Sequence, residues 1–570
     1  MKSLLLFLAI LIPFCLSAQP VLLEPSHPAY DFLDRMETLG LLDHPLMGSR
    51  PVPRARVAVL LEEVYRKAVP APGMTGTPAS PLSRVDRETL AALRWEFSDA
   101  PDRTQPSPPA LYPGGRSRWG QISDWMDRRG WFTGTFYRNG RNFYSWEGAG
   151  FQAYADPRGF ARIIRPEEES DPLVITGVGV RLRGYVAGKA GLFFQFLDVT
   201  ERGRGPYFSR DQLYEDRVGY VGNTDGGSSI NYDRAEFDLA LGGRWWEFHL
   251  AKLPLRWGPG RSGQLLLSDA GPSFHQAQFN LNLGSTLRLA YVFGSLKTFP
   301  ELSDTLYTSA GYVRTIERSK YLAAHRLEWD PHPRLRLAFS EAVVFGERDP
   351  ELAYLIPINF FYAAQHDLGD EDNTLLSFEA TWVPLVRWKV YGQLLIDDIT
   401  FGELGSDWYG NKQAGLLGTS WVEPAGLPNV DLALEGAWLR PFVYTHQYPA
   451  NVYRHWTSPL GYEHPPNSET LLAQVRWRPH RRVALDLSGL RLRHGANTET
   501  VNTGGDILAP HVRGTPEEAP FLGGRLEETL SLESGITYEA LEGLYLWSRG
   551  RWEESEGEDA WEAEIGFRLN

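Results

Sequence analysis

Three groups of residues could carry chemistry. The first is Gly258-Pro259-Gly260-Arg261-Ser262-Gly263, a glycine-rich run with a cation and a hydroxyl at its centre. It lacks the Lys-Ser/Thr pair that would close a nucleotide phosphate loop. It reads either as a tight turn or barrel-plug element, or as a loop that offers Arg261 and Ser262 to an anionic sugar. Ser262 with His275 and Asp269 would make a hydrolytic triad on paper, yet no nucleophile-elbow signature surrounds the serine. The second group is Asp397 and Asp398, with Glu403 close by. Paired carboxylates flanking a sugar cleft can hydrolyse glycosides, or bind Ca²⁺ given further oxygen ligands. A solvated acidic turn at a strand end is the commoner arrangement. The third group is histidine: none of the 13 has a metal spacing such as HExxH. His249, beside Glu247, suits an internal polar network better than a ligand set. The expectation is therefore no catalytic residue, no metal and no cofactor. Arg261, Ser262, His275, Asp397 and Asp398 are the candidate glycan contacts.

What must position these residues is legible from the period of the chain. From about residue 130 onward apolar and polar residues alternate. Val178, Val180 and Leu182 alternate with Gly179, Arg181 and Arg183, and Trp246, Phe248 and Leu250 alternate with Glu247, His249 and Ala251. The final ten residues, WEAEIGFRLN, put Trp561, Ala563, Ile565, Phe567 and Leu569 on one face. Such segments run to about 10–14 residues, twice the usual globular strand. About 18 are expected, joined by short breaks such as Asn139-Gly140, Ala187-Gly188, Gly242-Gly243 and Pro479-His480. No helical layer intervenes to cover their apolar faces. A soluble multi-sandwich protein would need such a cover, whereas a tilted strand of ten residues spans a bilayer and lets lipid provide it. The alternation breaks at Gly489, where a bulge is expected between Leu487 and Leu490. Glu341 falls on an apolar phase, so that strand either leaves the bilayer below it or bulges there. Long outer loops are expected over 201–232, 256–284, 349–372, 447–467 and 496–525.

The start of the chain reads differently. MKSLLLFLAILIPFCLSAQ has a basic residue, an apolar run and small residues before Gln19, the pattern of a secretory signal over 1–18. Cys15 is the only cysteine in 570 residues, so export leaves no disulfide to stabilise the protein. Residues 19–100 should form a helical module. Phe32, Leu33, Met36 and Leu39 share a face ended by Gly40, a second helix covers about 55–68, and Ser83 with Asp86 caps a third to about Phe97. Residues 101–129 read as linker and barrel entry, and 130–570 as the barrel. The net charge of −14, from 57 basic and 71 acidic side chains, together with the signal excludes a general nucleic-acid binder.

The strings WGPGRSGQLLLSDAGPSF (257–274), KYLAAHRLEW (320–329), SEAVVFG (340–346), ELAYLIPINFFYAAQ (351–365) and QLLIDDI (393–399) resemble the capsule assembly protein Wzi family. The resemblance implies an all-β outer-membrane barrel of 18 strands in a Gram-negative bacterium, with a helical module in the periplasm. It also implies a lectin-like role, holding capsular or surface polysaccharide at the cell surface. The partners implied are that polysaccharide, outer-membrane lipid, and periplasmic export or assembly machinery reached through the module. A porin or substrate channel shares every feature of the barrel and is the alternative. A membrane-embedded glycan or lipid hydrolase is the third reading.

Overall fold

A computed structural model describes residues 20–68, 81–98, 136, 139, 141–148, 150–167, 171–208, 212–214, 221, 226–299, 302 and 304–570. The expected signal segment, residues 69–80 of the helical module, the linker and barrel-entry stretch 101–129 and Gly140 lie outside them. Among the described residues, 18 antiparallel strands form a closed ring. It begins with Phe151–Pro166 and ends with Glu558–Leu569, which pairs back onto the first strand through Leu569↔Gly159 to Glu562↔Pro166. A short extra strand, Tyr144–Gly148, lies on the same edge of Phe151–Pro166 just beyond that pairing.

The alternation decides which way each side chain points. Trp561, Ile565 and Phe567 face outward and stay substantially exposed, while Glu564 is buried on the lumen side. Leu417, Leu434, Leu471 and Leu487 likewise face outward, with Leu417 61% exposed. Leucines left bare at this level would be a large cost in water and are stabilising against lipid. At one end of the ring the connections are short. Ala187 and Gly188 turn with φ of +50° and +64°, the left-handed pair of a tight hairpin. One of these breaks is displaced from its expected place: His480 still pairs with Val483, so that turn falls on Arg481-Arg482. The other end carries the long connections.

Four expectations are corrected by the register. The strand Val483–Ala496 pairs without interruption through Gly489 on both sides, so there is no bulge. Polarity reverses there because the surroundings do. Above Gly489 the outward positions Arg491 and Arg493 pair with Glu528 and Glu469, while Leu490 turns into the lumen. Glu341 is not on a bulge either, since Leu335–Gly346 pairs regularly with Lys320–His332 at His325↔Glu341. It stays on the outward face and is covered by the external connection that follows it. The loop expected over 201–232 shrinks to the stretch between Tyr207 and Gly227, because strands run further from both sides. The stretch 256–284 divides into an inward-folded segment and the strand Phe274–Leu283.

The helical module sits at the short-turn end. Its helices are α1 (Pro28–Thr38), α2 (Arg54–Ala68) and α3 (Arg84–Glu96). Ser83 Oγ accepts from Asp86 N at 2.9 Å, the expected cap of α3. Phe32, Leu33 and Met36 pack with Val57, Leu61, Val64 and Leu90 in one core that also takes in Val422 of the ring. Ion pairs fix the module to the wall: Arg336–Glu37 at 2.7 Å, Arg35–Glu423 at 2.9 Å and Lys389–Asp34. The backbone N–H of Arg387, in a short turn, donates to the Thr38 carbonyl at 2.8 Å.

Candidate functional site

The module docks at the short-turn end of the ring, and residues 254–273 pack inside it. That segment leaves the long-loop end and descends inside the ring. Arg256-Trp257 forms a two-residue antiparallel pairing with Ser49-Arg50 of the module. Leu255, Trp257 and Leu265 to Leu267 are buried against Tyr391, Leu416, Tyr444, Tyr453 and Tyr462, a hydrophobic core inside the barrel. The glycine-rich turn lies at the tip of the descent. Gly258 and Gly263 have φ of +136° and +155°, and a Cβ at Gly258 would approach Gln264 Oε1 to 2.2 Å. Only glycine permits that packing.

One carboxylate holds the tip. Glu435, on the strand Val430–Leu439, accepts the backbone N–H groups of Arg261 and Ser262 at 2.7 Å each, and the Tyr391 hydroxyl at 2.8 Å. Ser262 Oγ also bonds Glu435, and it lies 2.7 Å from the Tyr462 hydroxyl. The Arg261 guanidinium reaches Ser420 at 3.2 Å and Asp34 of α1 at 3.4 Å. Burial works against charge on Asp34, but Lys389 and Arg261 outweigh it and hold its carboxyl well below the usual range. Arg261 and Ser262 are thus built into a lumen plug that ties the inward segment to the module.

The other sequence candidates lie apart from one another. His275 opens the strand Phe274–Leu283 at its outer end, with its ring 5.9 Å from Phe237. Asp269 is 3.6 Å from Arg256. Among the described residues no hydrogen bond joins Ser262, His275 and Asp269, so the triad geometry is not formed. Asp397 accepts from the backbone N–H of Tyr444 at 2.6 Å, whereas Asp398 accepts from its neighbour Ile399 and is exposed. The pair does not converge on a shared cleft. His249 does lie in a buried network: its Nδ1 is 3.0 Å from Asp238, which also accepts from Leu22 N at 2.9 Å.

Beside the inward segment a cavity of about 650 Å³ remains. One wall is built by the first ring strand and the last two, Leu544–Ser555 and Glu558–Leu569. Their inward positions bring Arg158, Arg162, Tyr545, Trp547, Arg549, Glu564 and Arg568 onto it. Trp547 is held as a platform. Its indole N–H donates to Glu564 at 2.8 Å, and its ring lies across Gly566, where a Cβ would come within 2.5 Å. Around it the positive charge is only partly neutralised. Arg162 is 3.3 Å from Glu564, and Arg158 donates to the Asn570 side-chain oxygen at 2.8 Å. Arg568 lies 5.0 Å from the Tyr545 ring. Neither Arg549 nor Arg568 is in an ion pair among the described residues. Glu24 of the module also lines the cavity, and Arg181 binds it at 2.6 Å. Burial disfavours its charge, but the guanidiniums of Arg181 and Arg158 prevail and hold its carboxyl below the usual range.

A flat aromatic with one face on a glycine, ringed by guanidiniums, can stack a sugar face and bind carboxylate or other acidic substituents. Sequence reading missed this group. The signal was present, since all of these residues occupy the inward phase, but nothing in one strand shows that the chain's ends meet.

Comparison with known proteins bears on the whole chain. The family model for capsule assembly protein Wzi matches residues 134–562. Among solved structures, the outer-membrane protein Wzi of Escherichia coli, described as involved in group 1 capsule assembly and as a carbohydrate-binding β-barrel, is 12% identical. The match covers 96% of this chain and 99% of that one, with a TM-score of 0.55. OccAB2 of Acinetobacter baumannii is 8% identical, with 73% and 97% of the two chains covered and a TM-score of 0.43. No curated protein sequence matches. The chain belongs to the capsule assembly protein Wzi family and is an outer-membrane β-barrel.

Proposed function

We propose that this protein binds an acidic surface or capsular polysaccharide and helps to assemble or retain it at the cell surface, as a binding protein without turnover. The observation that carries the reading is the Trp547 platform flanked by Arg158, Arg549 and Arg568 on the wall of the lumen. The inward segment packed in the lumen and the module docked at its base narrow the path that an open diffusion channel needs. Each sugar contact is modest, and repetition along a polymer gives avidity. Arg261, Ser262 and Asp397 serve this role indirectly, by shaping the interior, while His275 stands where the cavity meets the outer rim; Asp398, exposed at the strand end, takes no part in it. The module presents its remaining surface to periplasmic machinery.

The test is a pull-down of purified protein on the surface polysaccharide of its own cells, run beside conductance in planar bilayers. Retention of the glycan with little conductance supports binding. Large conductance with no glycan retention refutes it and favours a porin.

A further inference from the structure

The external connection between Leu335–Gly346 and Asn373–Leu385 does not project outward. It folds back down the outside of the barrel. It contains two short helices, α4 (Leu352–Leu355) and α5 (Phe361–Asp367). Tyr354, Phe361 and Ala364 bury themselves against the outward-facing Tyr291, Ala323, Val343 and Phe345. Glu341, on the wall, accepts the backbone N–H groups of Phe361 and Tyr362 at 2.8 and 2.7 Å, and His325 lies 3.3 Å away. The Tyr291 hydroxyl donates to the Tyr354 carbonyl at 2.8 Å, and the Asn359 amide to the Ala353 carbonyl. Over residues 352–362 the far side of this flap is apolar, with Ile358 81% exposed, Leu352 70%, and Ile356 and Phe360 beside them; the exposed polar His366 and Asp367 follow at the end of α5.

How deep the flap reaches follows from the strand it covers. Glu341 is six residues above Leu335, where the short-turn end begins. At about 3.3 Å per residue and a tilt of about 40°, that is a height of roughly 15 Å. The apolar band of an outer-membrane barrel is about 25 Å tall. The next outward neighbours below, Leu327 and Phe339, form a cross-strand row with the exposed Phe378 and belong to the lipid-facing wall. The flap therefore continues that wall at a level where lipid, not water, adjoins it. Irregular backbone at such depth persists only when protein satisfies its polar groups, which is what Glu341, Tyr291 and Asn359 do.

We propose that residues 352–362 form a flap immersed in the membrane, whose exposed face of Leu352, Ile356, Ile358 and Phe360 packs among the acyl chains of the outer leaflet. It widens the barrel's lipid contact on one side and anchors the external loops at a fixed height.

Cys15 lies in the expected signal segment, so Ile358→Cys gives the exported protein one labelling position. The variant is labelled with bimane and reconstituted in phosphatidylcholine vesicles, with Asp506→Cys as the external control. Lipids brominated on the acyl chain should quench the label at position 358 while aqueous iodide does not, and the control should show the reverse. Iodide quenching at 358 comparable to the control overturns the proposal. Protection of the labelled protein from both quenchers, with oxidation of the unlabelled variant giving a disulfide-linked dimer, overturns it in favour of a second copy. Should Ile358→Cys fail to assemble, Leu352→Cys reads the same face.

Discussion

Replacing Glu435 with alanine removes the acceptor that holds the backbone of the inward segment's tip. The carboxylate is 2% exposed and takes two backbone N–H groups at 2.7 Å, besides the hydroxyls of Tyr391 and Ser262. A hydrogen bond to a charged group is worth about 1.5–3 kcal/mol net. The two backbone bonds alone therefore hold about 3–6 kcal/mol, from which the cost of burying the carboxylate is subtracted. A net loss of about 3 kcal/mol raises the population of the released tip on the order of 10²-fold. The rest of the segment stays seated, because Leu255, Trp257 and Leu265 to Leu267 remain in the lumen core. Trypsin reports the opening at the Arg261–Ser262 bond, whose cleavage rate tracks the open population while closing outpaces cutting. The expected result for Glu435→Ala is cleavage there on the order of 10²-fold faster, with a matching rise in bilayer conductance. Glu533→Ala, which lines the adjoining space without touching the segment, should change neither. A correctly assembled Glu435→Ala protein that resists trypsin as the parent does would refute the assignment of Glu435 as the latch.

Two further predictions concern the platform and the module. Trp547→Ala should weaken glycan binding by about 1 kcal/mol, or roughly fivefold, the order of an aromatic contact. Gly566→Val should weaken it similarly by displacing a ring it does not remove, and titration calorimetry with oligosaccharides from the same glycan measures both. Asp34 gives the module a pH dependence. Its folded-state pKa is depressed by Lys389 and Arg261 against the opposing effect of burial, so its contribution to docking is complete above the ordinary aspartate value, near 4. That contribution fades as pH falls through the folded value. Proteolysis of the module by pepsin should accelerate steeply below about pH 4, and Asp34→Asn should remove part of that dependence while loosening the module at neutral pH.

The barrel was legible because lipid imposes a two-residue period that no other environment requires at such length. WEAEIGFRLN shows it within ten residues, and in the ring Trp561, Ala563, Ile565 and Phe567 are exposed while Glu564 is buried. The helices of the module were equally plain, down to the Ser83 cap. Hidden from the sequence were the contacts that bring distant segments together. Arg261 looked like a loop cation, and only the path of 254–273 into the lumen gives it Asp34, 227 residues away, as a partner. Gly489 looked like a bulge because alternation was read as a property of the strand. The register runs through it unbroken, and the outward positions above it are the ion-paired Arg491 and Arg493. Glu341 looked like a strand exit or a bulge because the flap that covers it begins ten residues later.

One titration decides whether an acidic polysaccharide binds on the cationic wall of the lumen. The acidic surface glycan of the source cells is added to purified protein and to a variant carrying Arg158→Gln, Arg549→Gln and Arg568→Gln, at low and at high salt. The parent should bind measurably and more weakly as salt screens the charges, and the variant should lose most of that binding while its barrel remains assembled. Undiminished affinity in the variant, or affinity of the parent that is indifferent to salt, would contradict it.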